Sequence, residues 1–142
     1  MDDIYLSFQT DFAKYKRILG LPIADMLLAD TFEMVNKGAI AEVFVGLELL
    51  KYASPFTPSP LYYWHREAAG SNAEVDYVVH KKGLIYPIEA KASNRGSMQS
   101  LRQFIKEKQS PHGIRMSLEP FAQYEDIVVV PLYAVANWEF YL

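Results

Sequence analysis

The sequence predicts an α/β fold, a mixed sheet flanked by helices with the core order αβββαβ. Three patterns carry that prediction. Residues 37–52 place apolar side chains at helical spacing. Residues 61–91 alternate with a period of two and are interrupted by turn residues. A second helical stripe then leads to a continuous β-branched run at 127–136. A length of 142 residues suits one such domain, and 51% hydrophobic with 22% charged residues excludes disorder and fibrous repeats.

Residues 1–36 read as a helical strap ahead of a domain at 37–142. Phe12, Tyr15, Leu19 and Leu21 make one helical stripe, Gly20 and Pro22 break it, and Ile23 to Phe32 suits a second short helix. Lys37 to Tyr52 is the strongest helix. Ile40, Val43, Phe44, Leu47 and Leu50 share one face, with Val45 and Leu49 opposite, so the helix is expected to be buried nearly all round. Glu42 lies on the side of Val45, Gly46 and Leu49, where a carboxylate needs compensation. Gly38 as a helix start would put it near the first turn, where the dipole favours an acid. The other reading is an acid facing a metal or a substrate.

Pro55, Pro58 and Pro60 mark a loop, and Leu61 to Arg66 is a first, aromatic strand. A turn within Glu67–Asn72 leads to a second strand, Glu74 to His80. Strict alternation there sends Val75, Tyr77 and Val79 one way, and Glu74, Asp76, Val78 and His80 the other. Lys81-Lys82-Gly83 is a tight turn into a third strand, Leu84 to Ala90, on which Ile85, Pro87, Glu89 and Lys91 share a face. Pro87 requires a bulge or an unpaired side. Ser97 is the expected N-cap of a helix carrying Met98, Leu101, Phe104 and Ile105 to about Lys108. Ile114 to Ser117 is a short strand. Ile127 to Ala136 is a buried strand divided at Pro131, and Trp138 to Leu142 is an apolar tail suited to covering another surface.

Composition narrows the chemistry. There is no cysteine, so disulfides, thiolate zinc sites, iron–sulfur clusters and cysteine nucleophiles are excluded. The longest apolar run is too short for a membrane span, and Met1-Asp2-Asp3 lacks the positive charge of a signal peptide, so a cytoplasmic protein without membrane contact is expected. Within the net charge of −3, residues 81–108 form a basic island of seven Lys and Arg against two acids. Lys81, Lys82, Arg95 and Arg102 are its candidates for nucleic-acid phosphates, against the plainer reading of a solvated helix face.

Asp76 sits between apolar neighbours, and Glu89 and Lys91 project together from the next strand. A short hairpin joins them, which brings Asp76 within cross-strand reach of Glu89. Converging carboxylates are tolerated around a hard divalent cation, so Glu42, Asp76 and Glu89 are candidate ligands for Mg²⁺ or Mn²⁺. Lys91 beside them would stabilise developing negative charge. Metal-assisted phosphodiester hydrolysis is the reaction such a set supports.

The stretches Lys37-Gly-Ala-Ile-Ala-Glu42, Leu61-Tyr-Tyr-Trp-His-Arg-Glu67, Glu74-Val-Asp-Tyr77 and Pro87-Ile-Glu-Ala-Lys91, extended by Ser97–Phe104 and Pro131-Leu-Tyr133, carry a resemblance. The chain resembles the PD-(D/E)xK, or restriction-endonuclease-like, superfamily. More closely, it is similar to the C-terminal domain of unknown function that follows the AAA-type ATPase module of prokaryotic predicted ATPases. The resemblance implies a restriction-endonuclease-like sheet, with Glu42 as the helical acid, Asp76 as the second-motif acid, and Glu89 with Lys91 as the third motif. It also places Gln99 or Ser100 at a supporting helix position. No G-x-x-x-x-G-K-[ST] loop is present, so no nucleotide is expected in that mode. The implied function is a Mg²⁺-dependent DNA nuclease with Glu42, Asp76, Glu89 and Lys91 as catalytic residues. The alternative is a non-catalytic interaction or nucleic-acid-binding module, a remnant ATPase domain acting as a homodimer or with an ATPase partner.

Overall fold

The sheet grows from two antiparallel hairpins at one side and a parallel crossover at the other. The computed structural model describes residues 4–6, 37–53, 56, 60–67, 72–94 and 96–142. Within them the order is β1 (Ile4–Leu6), α1 (Lys37–Lys51), β2 (Tyr62–His65), β3 (Glu74–Lys81), β4 (Leu84–Ala90), α2 (Gln99–Lys108), β5 (Gly113–Ser117), β6 (Ala122–Tyr124), β7 (Ile127–Pro131) and a 3-10 segment, Leu132–Tyr141, kinked at Asn137. Seven strands form one sheet in the order β1-β2-β3-β4-β5-β7-β6. The pairs from β1 to β4 are antiparallel, β4–β5 and β5–β7 are parallel, and β6 returns antiparallel on β7. The expected mixed α/β sheet with helices on its faces is therefore present.

Two expectations are corrected. The strand expected over 127–136 ends at Pro131, which lacks a backbone donor, and residues 132–136 belong to the 3-10 segment. Ile4–Leu6 is a strand paired with β2, not part of a helical strap. The expected helix at Ile23–Phe32 and the stripe from Phe12 to Leu21 lie outside the described residues, as do Pro55, Pro58 and most of the 67–72 turn. The short edge strand β6 had no signal in the sequence.

Each face carries its own apolar layer. Val45 and Leu49 of α1, with Ala134, Val135 and Trp138 of the 3-10 segment, pack on Tyr77, Tyr86, Ile88, Ala90, Ile114, Met116 and Val130. Leu101 and Phe104 of α2 pack on Trp64, Val75, Val78 and Ile127. Aromatic edges lock both layers, Trp64 against Phe104 at 5.4 Å and Tyr86 against Trp138 at 6.0 Å. Of the expected covering tail, only Trp138 is buried, whereas Phe140, Tyr141 and Leu142 are exposed. α1 is buried on one side only. Ala41, Val45 and Leu49 face the sheet, whereas Phe44 and Leu47, on the wider apolar face, are exposed.

Period-two alternation fails in β3. Tyr62 pairs with Val78, but Trp64 pairs with Val75, so Asp76 and Tyr77 together oppose Tyr63. This is a β-bulge. It moves Val75 to the α2 layer beside Val78 while Tyr77 stays in the α1 layer. The expected common face of Val75, Tyr77 and Val79 is corrected accordingly.

Two local features follow from residue chemistry. The β3–β4 turn has positive φ at both central residues, 52° at Lys82 and 80° at Gly83, a two-residue hairpin turn that glycine favours. Pro87 sits in a central strand because backbone donors alternate along β4. Ala90 N–H points to β3, towards Asp76, and Lys91 N–H to β5, so residue 87 turns its donorless nitrogen to the β5 side. Pairing with β5 begins only at Ile88. The unpaired-side reading of Pro87 holds.

α1 approaches the sheet closely at Gly46. A Cβ there would stand 2.5 Å from the Tyr77 hydroxyl and 2.9 Å from its ring carbon. That hydroxyl donates to the Glu42 carbonyl at 2.9 Å, one helical turn earlier. Gly46→Ala is therefore expected to destabilise the domain by about 1–3 kcal/mol, the usual range for overpacking a filled core, although alanine is the better helix former. Urea denaturation of wild type and variant measures this; an unchanged midpoint would show that α1 does not rest on Tyr77.

Candidate functional site

The bulge sets the position of Asp76, half-buried at the start of β3. Asp76 Oδ2 accepts the Ala90 N–H at 2.8 Å, which ties the acid across to the end of β4. The β3–β4 register, continued one step past Tyr77 and Ile88, sets Asp76 opposite Glu89. Glu89 is 6% exposed. Its Oε1 lies 3.2 Å from Lys91 Nζ, and its Oε2 is buried with no hydrogen-bond partner. Lys91 is anchored by its N–H on the Met116 carbonyl at 2.8 Å, and its side chain reaches solvent.

Electrostatics bind the group together. Asp76 is pushed up to about 7, first by burial and next by the Glu42 charge, with Glu89 adding a smaller push. The Ala90 N–H and the Lys91 ammonium pull the other way and lose. Glu42 occupies the second turn of α1, not the first, so the helix dipole is not what explains it. Its backbone is held by Tyr77, and its charge acts on Asp76.

Glu42, Asp76, Glu89 and Lys91 are thus one electrostatic neighbourhood. Among the described residues, however, no three His, Asp or Glu side chains are grouped so as to hold a metal ion together. Strand register joins Asp76 and Glu89, and Glu42 acts on Asp76 through its charge.

The basic island does not form one patch. Lys81 and Lys82 lie at the hairpin tip, and Lys81 pairs with Glu139 at 2.7 Å. Five residues of strand separate Lys81 from Asp76, about 17 Å at about 3.4 Å per residue. Arg95 lies outside the described residues. Arg102 is exposed on α2, 3.6 Å from Glu125 Oε2. It lines a groove of about 600 Å³ with Asn72, Gln99, Ser100, Gln103 and Lys106. That groove is at the Asp76 end of the sheet, because Ser100 Oγ accepts the Glu74 N–H at 3.4 Å. The expected N-cap is corrected: Met98, not Ser97, occupies the cap position of α2 and makes no side-chain capping bond, while Ser97, one residue earlier, accepts the Gln99 N–H at 3.2 Å.

The chain matches the model of a domain of unknown function, DUF4143, over residues 37–135. It belongs to the DUF4143 family. The expected kinship with a domain of unknown function is borne out at that level. The matched DUF4143 segment opens with α1, contains all four acid and lysine positions, and closes within the 3-10 segment. No curated protein and no solved structure matches the chain. Among the described residues of this DUF4143 chain, no helix is long and apolar enough to cross a membrane.

Two polar groups at this end escaped the sequence reading. One is the Tyr77 hydroxyl. The other is Arg115, fully buried on β5. An arginine between Ile114 and Met116 is the same kind of signal as Asp76 between Val75 and Tyr77, and it was open to the same argument.

The raised Asp76 carboxyl has a thermodynamic sign. Between an unfolded value near 3.8 and a folded value of about 7, the folded state holds a proton that the unfolded state has lost. Stability contributed by Asp76 is therefore present below about pH 4 and is lost as pH rises to about 7, at about 1.4 kcal/mol per pH unit across the window. Asp76→Asn, which can still accept from Ala90, is expected to unfold at a higher temperature than wild type above pH 7 in metal-free buffer. The gap should close towards pH 4. Melting curves at pH 4–8 test this; a gap independent of pH would mean Asp76 is not the titrating group.

Proposed function

We propose that the domain is a metal-dependent phosphodiester hydrolase of the PD-(D/E)xK type acting on DNA. The reading is supported above all by Glu89. Its Oε2 is buried without a donor, beside an Asp76 crowded by two further carboxylates. A cation satisfies both at once. The donor set suits Mg²⁺ or Mn²⁺, which are held by one or two carboxylates and complete their shells with water and substrate phosphate oxygens. Two inner carboxylates therefore suffice, and a third protein ligand is not required.

In this reading Asp76 and Glu89 hold the metal, and Glu42 raises the negative potential behind Asp76. When bound, the metal supplies Lewis acidity and a water of lowered pKa. Lys91 reaches solvent from an anchored backbone while its ammonium touches Glu89, so it can meet the negative charge that grows on a phosphate. The Arg102–Lys106 groove, without a carboxylate among the described residues of its lining, offers phosphate contacts at the same end of the sheet.

A second reading, a non-catalytic interaction module that works with an ATPase partner or as a homodimer, is favoured by one observation. Phe121 meets Tyr133 edge-to-face at 6.2 Å and Tyr141 in a tilted contact at 4.5 Å on the surface, with Tyr133 82% exposed.

Purified protein with Mn²⁺ or Mg²⁺ is expected to cut a panel of single- and double-stranded DNA. Asp76→Ala or Lys91→Ala should lower the rate at least about 100-fold with the fold intact, the scale on which catalytic groups act. Chelation by EDTA should remove the activity in full. Cleavage of none of the substrates, or equal cleavage by the Asp76→Ala protein, would leave the interaction module as the function.

A further inference from the structure

Arg115 is a charged side chain with no exposure at all, on the strand next to the Glu89–Lys91 pair. The parallel register sets Arg115 beside Glu89, and both alternate with residues of the α1 layer, so both leave the opposite face of the sheet. The guanidinium points to the chain after β4. Its Nη1 donates to the Gly96 carbonyl at 3.1 Å. Gly96 has φ of 141°, and a Cβ there would stand 3.4 Å from Arg115 Nη2. On its other side, Nε lies 3.0 Å from Glu119 Oε1. Glu119 is itself held, its N–H donating to Ser117 Oγ at 3.2 Å and its Oε2 accepting from the Tyr124 hydroxyl at 3.3 Å.

A buried guanidinium has five donors to satisfy. Here Nη2 has no acceptor, Nε meets Glu119 as an ion pair without a hydrogen bond, and on the adjacent strand Glu89 Oε2 has no donor. Packing alone does not explain a desolvated cation at this place, since an apolar side chain would fill the layer at lower cost. Its bond to Gly96, the connection that follows Lys91, does give it a use.

We propose that Arg115 is a positioning residue for the Glu89–Lys91 pair. It clamps the 91–98 connection through the Gly96 carbonyl and sets a fixed positive charge beside the buried Glu89 carboxylate. The planar fork of arginine reaches Gly96 and Glu119 at once, which a lysine ammonium cannot do. This rests on the metal-site reading only for its effect on metal binding; the clamp itself does not.

The test is hydrogen exchange and Mn²⁺ titration of the full chain carrying Arg115→Lys, with Glu119→Gln as the second variant should the first not fold. The clamp predicts that amides of the 91–98 connection exchange at least about 10-fold faster while β5 and β7 stay protected, and that Mn²⁺ affinity falls by about 10-fold, as for residues that orient a ligand from behind. Exchange at 91–98 within two-fold of wild type overturns the proposal. So does a rise spread evenly over β4, β5 and β7, which would make Arg115 a general stability element. Faster exchange with unchanged Mn²⁺ affinity overturns it as well. If the wild-type chain binds no Mn²⁺, the metal-site reading fails by itself and the exchange comparison alone decides the clamp.

Discussion

One additional residue in β3 organises this end of the molecule. In a regular ladder Asp76 would stand on the α2 face with Val78, and Val75 would point at α1. The bulge opposite Tyr63 breaks that alternation. Three consequences follow from the single irregularity. Val75 joins Val78 under α2. Tyr77 drives its ring against Gly46 and its hydroxyl onto the Glu42 carbonyl. Asp76, displaced from the regular ladder, accepts the Ala90 N–H with its carboxylate. Helix position, strand pairing and the placement of the acids are thus set together. A change that removed the bulge would shift all three.

The charges at this end do not stabilise the fold; the fold tolerates them. Asp76 has a hydrogen bond and a nearby lysine, yet burial and two like charges outweigh both and hold it at about 7. Glu89 is buried with one oxygen lacking a hydrogen bond, and Arg115 is buried with two nitrogens, Nε and Nη2, lacking one. Each such group costs more than an apolar residue of similar size. The apolar layers carry the stability: seven strands closed on one face by α1 and the 3-10 segment and on the other by α2. Polar groups concentrated at one end of an otherwise apolar sheet are the mark of a site to which local consistency gives way.

The fold was legible where one periodicity ruled a segment. Strands β2, β3 and β4, both helices and the Lys82–Gly83 turn follow from spacing and turn chemistry, whereas the apolar run 127–136 hid the change from strand to 3-10 segment after Pro131. The misreadings share a cause. Alternation cannot show a bulge, so the facing of Val75 came out wrong while that of Tyr77 came out right. Helical periodicity ranks faces by apolar count, and α1 buries its narrower face because Gly46 and Ala41 allow close approach there. Residues 4–6 and 122–124 are three-residue edge strands, too short for any period to show. The acids and Lys91 were found because each breaks an apolar pattern. Arg115 breaks one too, between Ile114 and Met116, but a lone arginine in a short strand does not show whether its charge lies inside or outside the layer.

The split of the basic island narrows how a polyanion can meet this domain. Contiguity in sequence put Lys81, Lys82 and Arg102 together, but the hairpin sends the two lysines to its tip while the crossover returns α2 to the acidic end. β4, β5 and β7 are parallel and in register, so Ala90, Ser117 and Pro131 end at one edge, and the connections that follow them gather there. Ligands of such sheets bind beyond the carboxyl ends of the strands. A strand of nucleic acid laid across that edge would meet Lys91 and could run into the groove of Arg102 and Lys106 on the α2 side. It could not reach the hairpin tip without crossing the length of the sheet, where Lys81 is already held by Glu139. Approach from the α2 side is the path on which fixed positive charge leads towards the carboxylates.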